Sequence, residues 1–108
     1  MFGSIVPFEL HLTIADLPVK EVADFTSFCN DREAKPLLIE LARGEYLHQP
    51  MFNKIIYGSN LDEALQTATA YSQQLIVRNW LVQRLKFEDA LLTAGFYDLD
   101  LRTLHQLK

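Results

Sequence analysis

The eight residues 7–14, Pro-Phe-Glu-Leu-His-Leu-Thr-Ile, constrain the fold more than any other stretch of the chain. Phe8, Leu10, Leu12 and Ile14 alternate with Glu9, His11 and Thr13. A period of two sends successive side chains to opposite sides of an extended backbone, so this segment is a strand with one buried and one open face. Its inward positions are all large and apolar, which predicts the first and central strand of a sheet. Its outward positions put a histidine and two other polar groups on the open side.

Asp16, Leu17 and Pro18 predict a helix start, with proline in the first turn where its missing N–H costs nothing. Val19, Val22, Ala23, Phe25 and Phe28 form the apolar stripe of that helix, and residues 30–33 end it. Lys35 and Pro36 force extended backbone, and residues 37–41, Leu-Leu-Ile-Glu-Leu, have the length of a strand. Arg43, Gly44 and Glu45 predict a hairpin into a third strand over residues 46–57. Pro50 cannot donate to a ladder, so a bulge or an edge position is expected around Gln49 and Pro50. Asn60 and Glu63 have the spacing of a capping box. Leu61, Ala64, Leu65, Ala68, Tyr71, Leu75 and Ile76 then predict a second helix, ended by Arg78 and Asn79. Alternation returns over residues 80–88, with Val82, Arg84, Lys86 and Glu88 against Gln83, Leu85 and Phe87; Leu85 and Phe87 are the expected inward pair.

The element order is β-α-β-β-α-β. Two crossovers around a hairpin make the ferredoxin-like split-βαβ pattern. Right-handed crossovers put both helices on one face of a four-stranded antiparallel sheet and leave the other face open. Residues 1–88 are read as this α+β domain. Residues 89–108 exceed the pattern, with helical character expected at 90–94 and 100–108. Phe96, Tyr97, Leu99, Leu101 and Leu104 are too apolar for a solvated linker, so this C-terminal extension is expected to pack on the sheet or on a partner subunit.

Charge and cysteine usage exclude several function classes. A net charge of −4 with scattered Lys and Arg leaves no basic stripe to neutralise phosphates, so no nucleic acid is expected as partner. Cys29 is alone, which rules out an internal disulfide and fits a reducing, cytoplasmic setting. Phe25 and Phe28 beside it predict a buried thiol. No apolar run approaches membrane-spanning length, and residues 1–6 lack the basic start of a signal peptide.

Candidate chemistry collects on the open face. Glu9, His11 and Thr13 come from the first strand, and Arg84, Lys86 and Glu88 from the last, where opposite charges are expected to pair across neighbouring strands. A regular hairpin through Gly44 would also set Glu40 opposite His48. His11 is the candidate catalytic residue, and Glu9, His11, Thr13, Glu40, His48, Arg84 and Lys86 are the candidate ligand-binding set. His11-Leu12-Thr13 has the His-x-Thr form of two-histidine phosphoesterases, but neither His48 nor His105 has the second copy that mechanism needs. No HxH, HExxH or CxxC spacing occurs, so no metal is expected, and no cofactor.

Glu9-Leu-His-Leu-Thr13, Lys35-Pro-Leu-Leu-Ile-Glu-Leu41, Gln49-Pro-Met51 and Val82-x-Arg84-x-Lys86-x-Glu88, in this order and spacing, resemble a group of small, largely uncharacterised bacterial domains, including cyanobacterial ones. The resemblance covers residues 8–88. It implies a ferredoxin-like α+β domain and brings no activity with it. That pattern has a glycine between the second helix and the last strand, where this chain has Asn79 and Trp80.

The expectation is therefore a non-catalytic binding or assembly module that acts through the open face or an edge strand. It is expected to be a homo-oligomer, a dimer by preference. The rival expectation is a small enzyme or anion-binding protein. There His11 is the acid/base, and Arg84 and Lys86 hold a phosphate or carboxylate.

Overall fold

The computed structural model describes residues 5–38, 46–90 and 96–102. Strand β1 (Val6–Ile14) is followed by β2 (Leu17–Pro18), a 3₁₀ turn (Val19–Glu21) and helix α1 (Val22–Asp31). Then come β3 (Lys35–Leu37), β4 (Tyr46–Leu47), β5 (Met51–Gly58), α2 (Leu61–Val77), β6 (Val82–Asp89) and β7 (Phe96–Asp100). The main sheet has five antiparallel strands in the order β3-β5-β1-β6-β7, and β2 pairs with β4 in a separate two-stranded sheet. The fold is α+β. The expected four-stranded sheet is corrected to five strands, and the order differs because residues from the C-terminal extension add β7 beside β6. Among the described residues no helix is long and apolar enough to cross a membrane.

β1 is central, as its alternation requires: Phe8, Leu10, Leu12 and Ile14 are fully buried. They join Phe52 and Ile56 of β5, Leu85 and Phe87 of β6, Phe25, Phe28 and Cys29 of α1, and Ala64, Ala68 and Leu75 of α2 in one core. Both helices thus cover the same side of the sheet. Tyr97 of β7 extends that side by stacking on Phe87, with ring centroids 5.3 Å apart.

Local expectations failed where a competing contact was stronger. Leu17 and Pro18 do not begin a helix; they pair with Leu47 and Tyr46. The α1 stripe is accordingly shorter, with Phe25, Phe28 and Cys29 buried, Ala23 exposed and Val19 half exposed. The third strand splits at Gln49, which takes φ 53°, so its two parts serve different sheets. Val82 was expected outward, yet it is fully buried. A bulge shifts the register between Thr13/Arg84 and Ile14/Val82 and turns Val82 inward. The second strand falls on Lys35–Leu37. Pro36 is tolerated there because β3 is an edge. Most of the expected 37–41 strand, the hairpin at Gly44 and residues 91–94 and 103–108 lie outside the described residues; Asp100, expected to begin a helix, instead ends β7.

The helix ends show how the chain dispenses with glycine. The Asn60 side chain accepts from Glu63 N–H at 2.9 Å, and Glu63 reaches back to accept from the Ser59 N–H, also at 2.9 Å. This is the expected cap with its return bond moved one residue outward. At the far end of α2, Asn79 N–H donates to Ile76 O at 2.9 Å and Trp80 N–H to Leu75 O at 3.1 Å. That is a Schellman closure, and Asn79 at φ 65° fills the left-handed position that usually takes glycine. Glu33, at φ 55°, closes α1 in the same way, with Ala34 N–H donating to Cys29 O at 2.9 Å.

Cys29 is fully buried, and that burial pushes its thiol up to about 12. The folded protein therefore keeps the proton longer than the unfolded chain does. Stability should be unaffected below pH 9 and fall as pH rises from about 9 towards about 12. At pH 8 the native thiol should react with a disulfide reagent only as fast as the core opens, which stopped-flow labelling would measure. Labelling faster than opening would contradict this packing.

Candidate functional site

The side of the sheet away from the helices is lined in rows fixed by register. One row runs Leu37, Met51, Thr13, Arg84, Asp100; the next runs Lys35, Asn53, His11, Lys86, Asp98; a third runs Ile55, Glu9, Glu88, Phe96. Every member has the parity opposite to the buried core positions. Glu9, His11, Thr13, Arg84 and Lys86 thus share one face, as the alternation required. One of the expected ligands, His48, does not join them. His48 lies just after β4 and pairs with Asp16, Nδ1 to Oδ1 2.9 Å. Glu40, and with it the expected Glu40–His48 pairing, lies outside the described residues.

The expected charge pairing between the first and last strands is also corrected. Glu9 lies opposite Glu88, His11 opposite Lys86 and Thr13 opposite Arg84. Arg84 turns the other way, to β7. Its Nε donates to Asp98 Oδ1 at 2.8 Å and its Nη2 to Oδ2, a fork-to-fork pair. Sequence reasoning missed Asp98 because β7 was not expected in the sheet, although Asp98 and Asp100 alternate with Tyr97 and Leu99 as a strand should.

Asp98 and Asp100 are both acidified. The Arg84 guanidinium holds the Asp98 carboxyl below the usual range, with Lys86 adding to it. Arg102 donates from Nε to Asp100 Oδ1 at 3.0 Å and from Nη2 to Oδ2 at 2.6 Å, bringing that carboxyl down to about 2. A depressed carboxylate contributes stability above its unfolded value, which is lost as pH falls through the folded one. The Arg84–Asp98 pair is the one that ties β7 to β6, so β7 should loosen first as pH falls below the usual carboxylate range. Amide exchange followed by NMR should show β7 losing protection before β1; simultaneous loss would remove these pairs as the cause.

His11 sits between two hollows on this face. The larger, about 480 Å³, is lined by Glu9, His11, Glu33, Lys35, Lys54 and Tyr57 among others, where β3 stops and β5 runs on against β1. The smaller, about 240 Å³, is lined by His11, Thr13, Met51, Arg84 and Lys86. The His11 ring is held by Asn53, with Nδ1 2.6 Å from the amide oxygen. With an acceptor there, Nδ1 carries the proton and donates, which leaves the Nε2 lone pair available. Asn53 was not among the expected residues. Its place opposite His11 follows only from the β1–β5 register.

Tyr57 is 64% exposed, Ile55 43% and Ile5 72%. Tyr57 lies opposite Pro7, and Ile55 opposite Glu9. With Pro7 they form an apolar corner on the open face, and exposed Ile5 leads into β1 at the same end. Beside it, β3 pairs only with residues 51–53, so among the described residues the outer edge of β5 beyond Asn53 has no strand partner. The opposite edge, β7, carries Asp98 and Asp100 instead.

No family model, curated protein or solved structure matches this chain.

Proposed function

We propose that the protein is a non-catalytic assembly module whose partner is a second copy of itself, docked at the β5 edge and the adjoining corner of the open face. The observation that carries this reading is the coincidence of exposed Ile5, Ile55 and Tyr57 with a stretch of β5 whose outer edge has no strand partner among the described residues. An unpaired edge presents free N–H and C=O groups, and proteins normally guard it with charge. β7 is guarded in that way, whereas the one charged side chain of β5 beyond Asn53, Lys54, is turned to the Arg32 carbonyl at 2.6 Å and leaves Ile55 and Tyr57 to the open face. Two copies of one edge can pair antiparallel about a two-fold axis, which closes the assembly at a dimer. The ferredoxin-like, bacterial reading of residues 8–88 stays part of this proposal. It is supported by two helices on one sheet face and by antiparallel pairing throughout.

The rival reading, His11 with Arg84 and Lys86 around an anion, has less support. Asp98 already occupies the Arg84 fork and lies opposite Lys86. An anion would have to displace a carboxylate that the sheet itself supplies.

Sedimentation velocity across low to high micromolar concentration tests the assembly. A dimer burying on the order of 1,200 Å² or more should appear in that range. A chain that stays monomeric throughout sinks the proposal.

A further inference from the structure

Three side chains on the open face converge without neutralising one another. Glu9 and Glu88 face each other across β1 and β6, and His11 lies two residues along β1 on the same side. One potential ligand atom from each lies within 4.8 Å of the other two. Like charges directly opposite on neighbouring strands destabilise a sheet. Neither glutamate has an ion pair or side-chain hydrogen bond among the described residues. Arg84, the guanidinium on the same face, is taken up by Asp98.

From this arrangement we propose that Glu9, His11 and Glu88 form a binding site for a first-row divalent transition-metal ion, with Zn²⁺ as the reference cation. Three features of the geometry carry it. First, Asn53 belongs to a different strand from all three ligands and fixes the His11 tautomer. Its amide oxygen takes the Nδ1 proton at 2.6 Å, which leaves Nε2 as the ligating nitrogen. Metal-bound histidines are oriented in this way by an acceptor on the other ring nitrogen.

Second, ligand atoms about 2.1 Å from a shared ion stand roughly 3–4 Å apart. The three candidate atoms already lie within 4.8 Å of one another, and the glutamate side-chain torsions are free to bring them to that spacing. Third, an imidazole nitrogen with two carboxylates suits zinc, manganese or iron better than calcium or magnesium, which prefer oxygen throughout. All three donors rise from one sheet face, so the outward coordination positions remain open to water or to a group on whatever docks there.

This inference does not depend on the assembly reading. A monomer that binds one ion upholds it, and a dimer that binds none overturns it while leaving the assembly intact.

The test is calorimetric titration of the full chain with Zn²⁺ in chelator-free buffer, in parallel with Ca²⁺ and with imidazole ¹⁵N spectra. The expected result is one Zn²⁺ per chain, with the shift at Nε2 of His11. Affinity should fall at least about tenfold in Glu9→Gln and in Glu88→Gln, and about tenfold or more in Asn53→Ala, where only the orienting bond is lost. His48→Ala, which removes the imidazole paired with Asp16, should bind as wild type does.

Both glutamine variants remove a repulsion rather than a contact, so their apo forms should melt no lower than wild type. A Zn²⁺-induced rise in wild-type Tm should vanish in them. No saturable binding up to about 1 mM Zn²⁺ overturns the proposal. So does binding that survives His11→Ala, binding that is lost in His48→Ala, or Ca²⁺ bound as tightly as Zn²⁺.

Discussion

Replacing Phe28 by alanine is expected to cost about 3–5 kcal/mol, the range for deleting a buried aromatic ring. Phe28 is 2% exposed and is where the two helices and the sheet meet. Its ring packs edge-on to Phe52 of β5 at 6.0 Å and to Trp80 after α2 at 5.4 Å. The Arg32 guanidinium lies 3.6 Å over it, and the same arginine bonds Gln74 of α2 through Nε at 2.6 Å. An alanine here leaves a cavity among rigid rings that cannot collapse without moving a helix. A domain of this size is stable by about 5–15 kcal/mol, so the variant should unfold at much lower urea than wild type. Phe28→Leu should lose much less, since it refills most of the volume. A loss below about 1 kcal/mol for the alanine would mean that these contacts are not what joins α1 to the sheet.

Tyr57→Glu is expected to weaken self-association at least about thirtyfold, the effect of removing an aromatic hot spot worth roughly 2 kcal/mol. Tyr57 is 64% exposed on the single chain, so the substitution should leave monomer stability within about 0.5 kcal/mol. Ile55→Asp, on the same strand face, should act in the same direction. Phe96→Glu makes the control: Phe96 is 68% exposed but lies on β7, at the opposite edge. Sedimentation of the three variants locates the interface. Should Phe96→Glu dissociate the dimer and Tyr57→Glu leave it intact, the docking edge would be β7.

How much could be read in advance depended on the range of the interactions involved. Alternation in β1 located the central strand and its open face. Spacing in α2 located a helix whose observed bounds, Leu61–Val77, differ from the expected ones by about a turn or less. Both signals are local, because burying one face of a regular element dictates its own period. Val82 shows the limit of that logic. Its parity said outward, and a single bulge against β1 reversed it. Pro18 shows the same limit from the other side: a good first-turn residue was taken by pairing with Tyr46, nearly thirty positions away in sequence.

The candidate site divides along the same line. The amino-acid sequence by itself determined that Glu9, His11 and Thr13 share one sheet face, and Arg84, Lys86 and Glu88 another segment of it, because strand periodicity needs no partner to be legible. Only the tertiary structure decided who stands opposite whom. Register set Glu9 against Glu88, brought Asn53 to the His11 ring, gave Arg84 to Asp98 and sent His48 to Asp16. Pairing across strands is settled by the packing of distant residues, and a shift of one position would exchange every one of these neighbours.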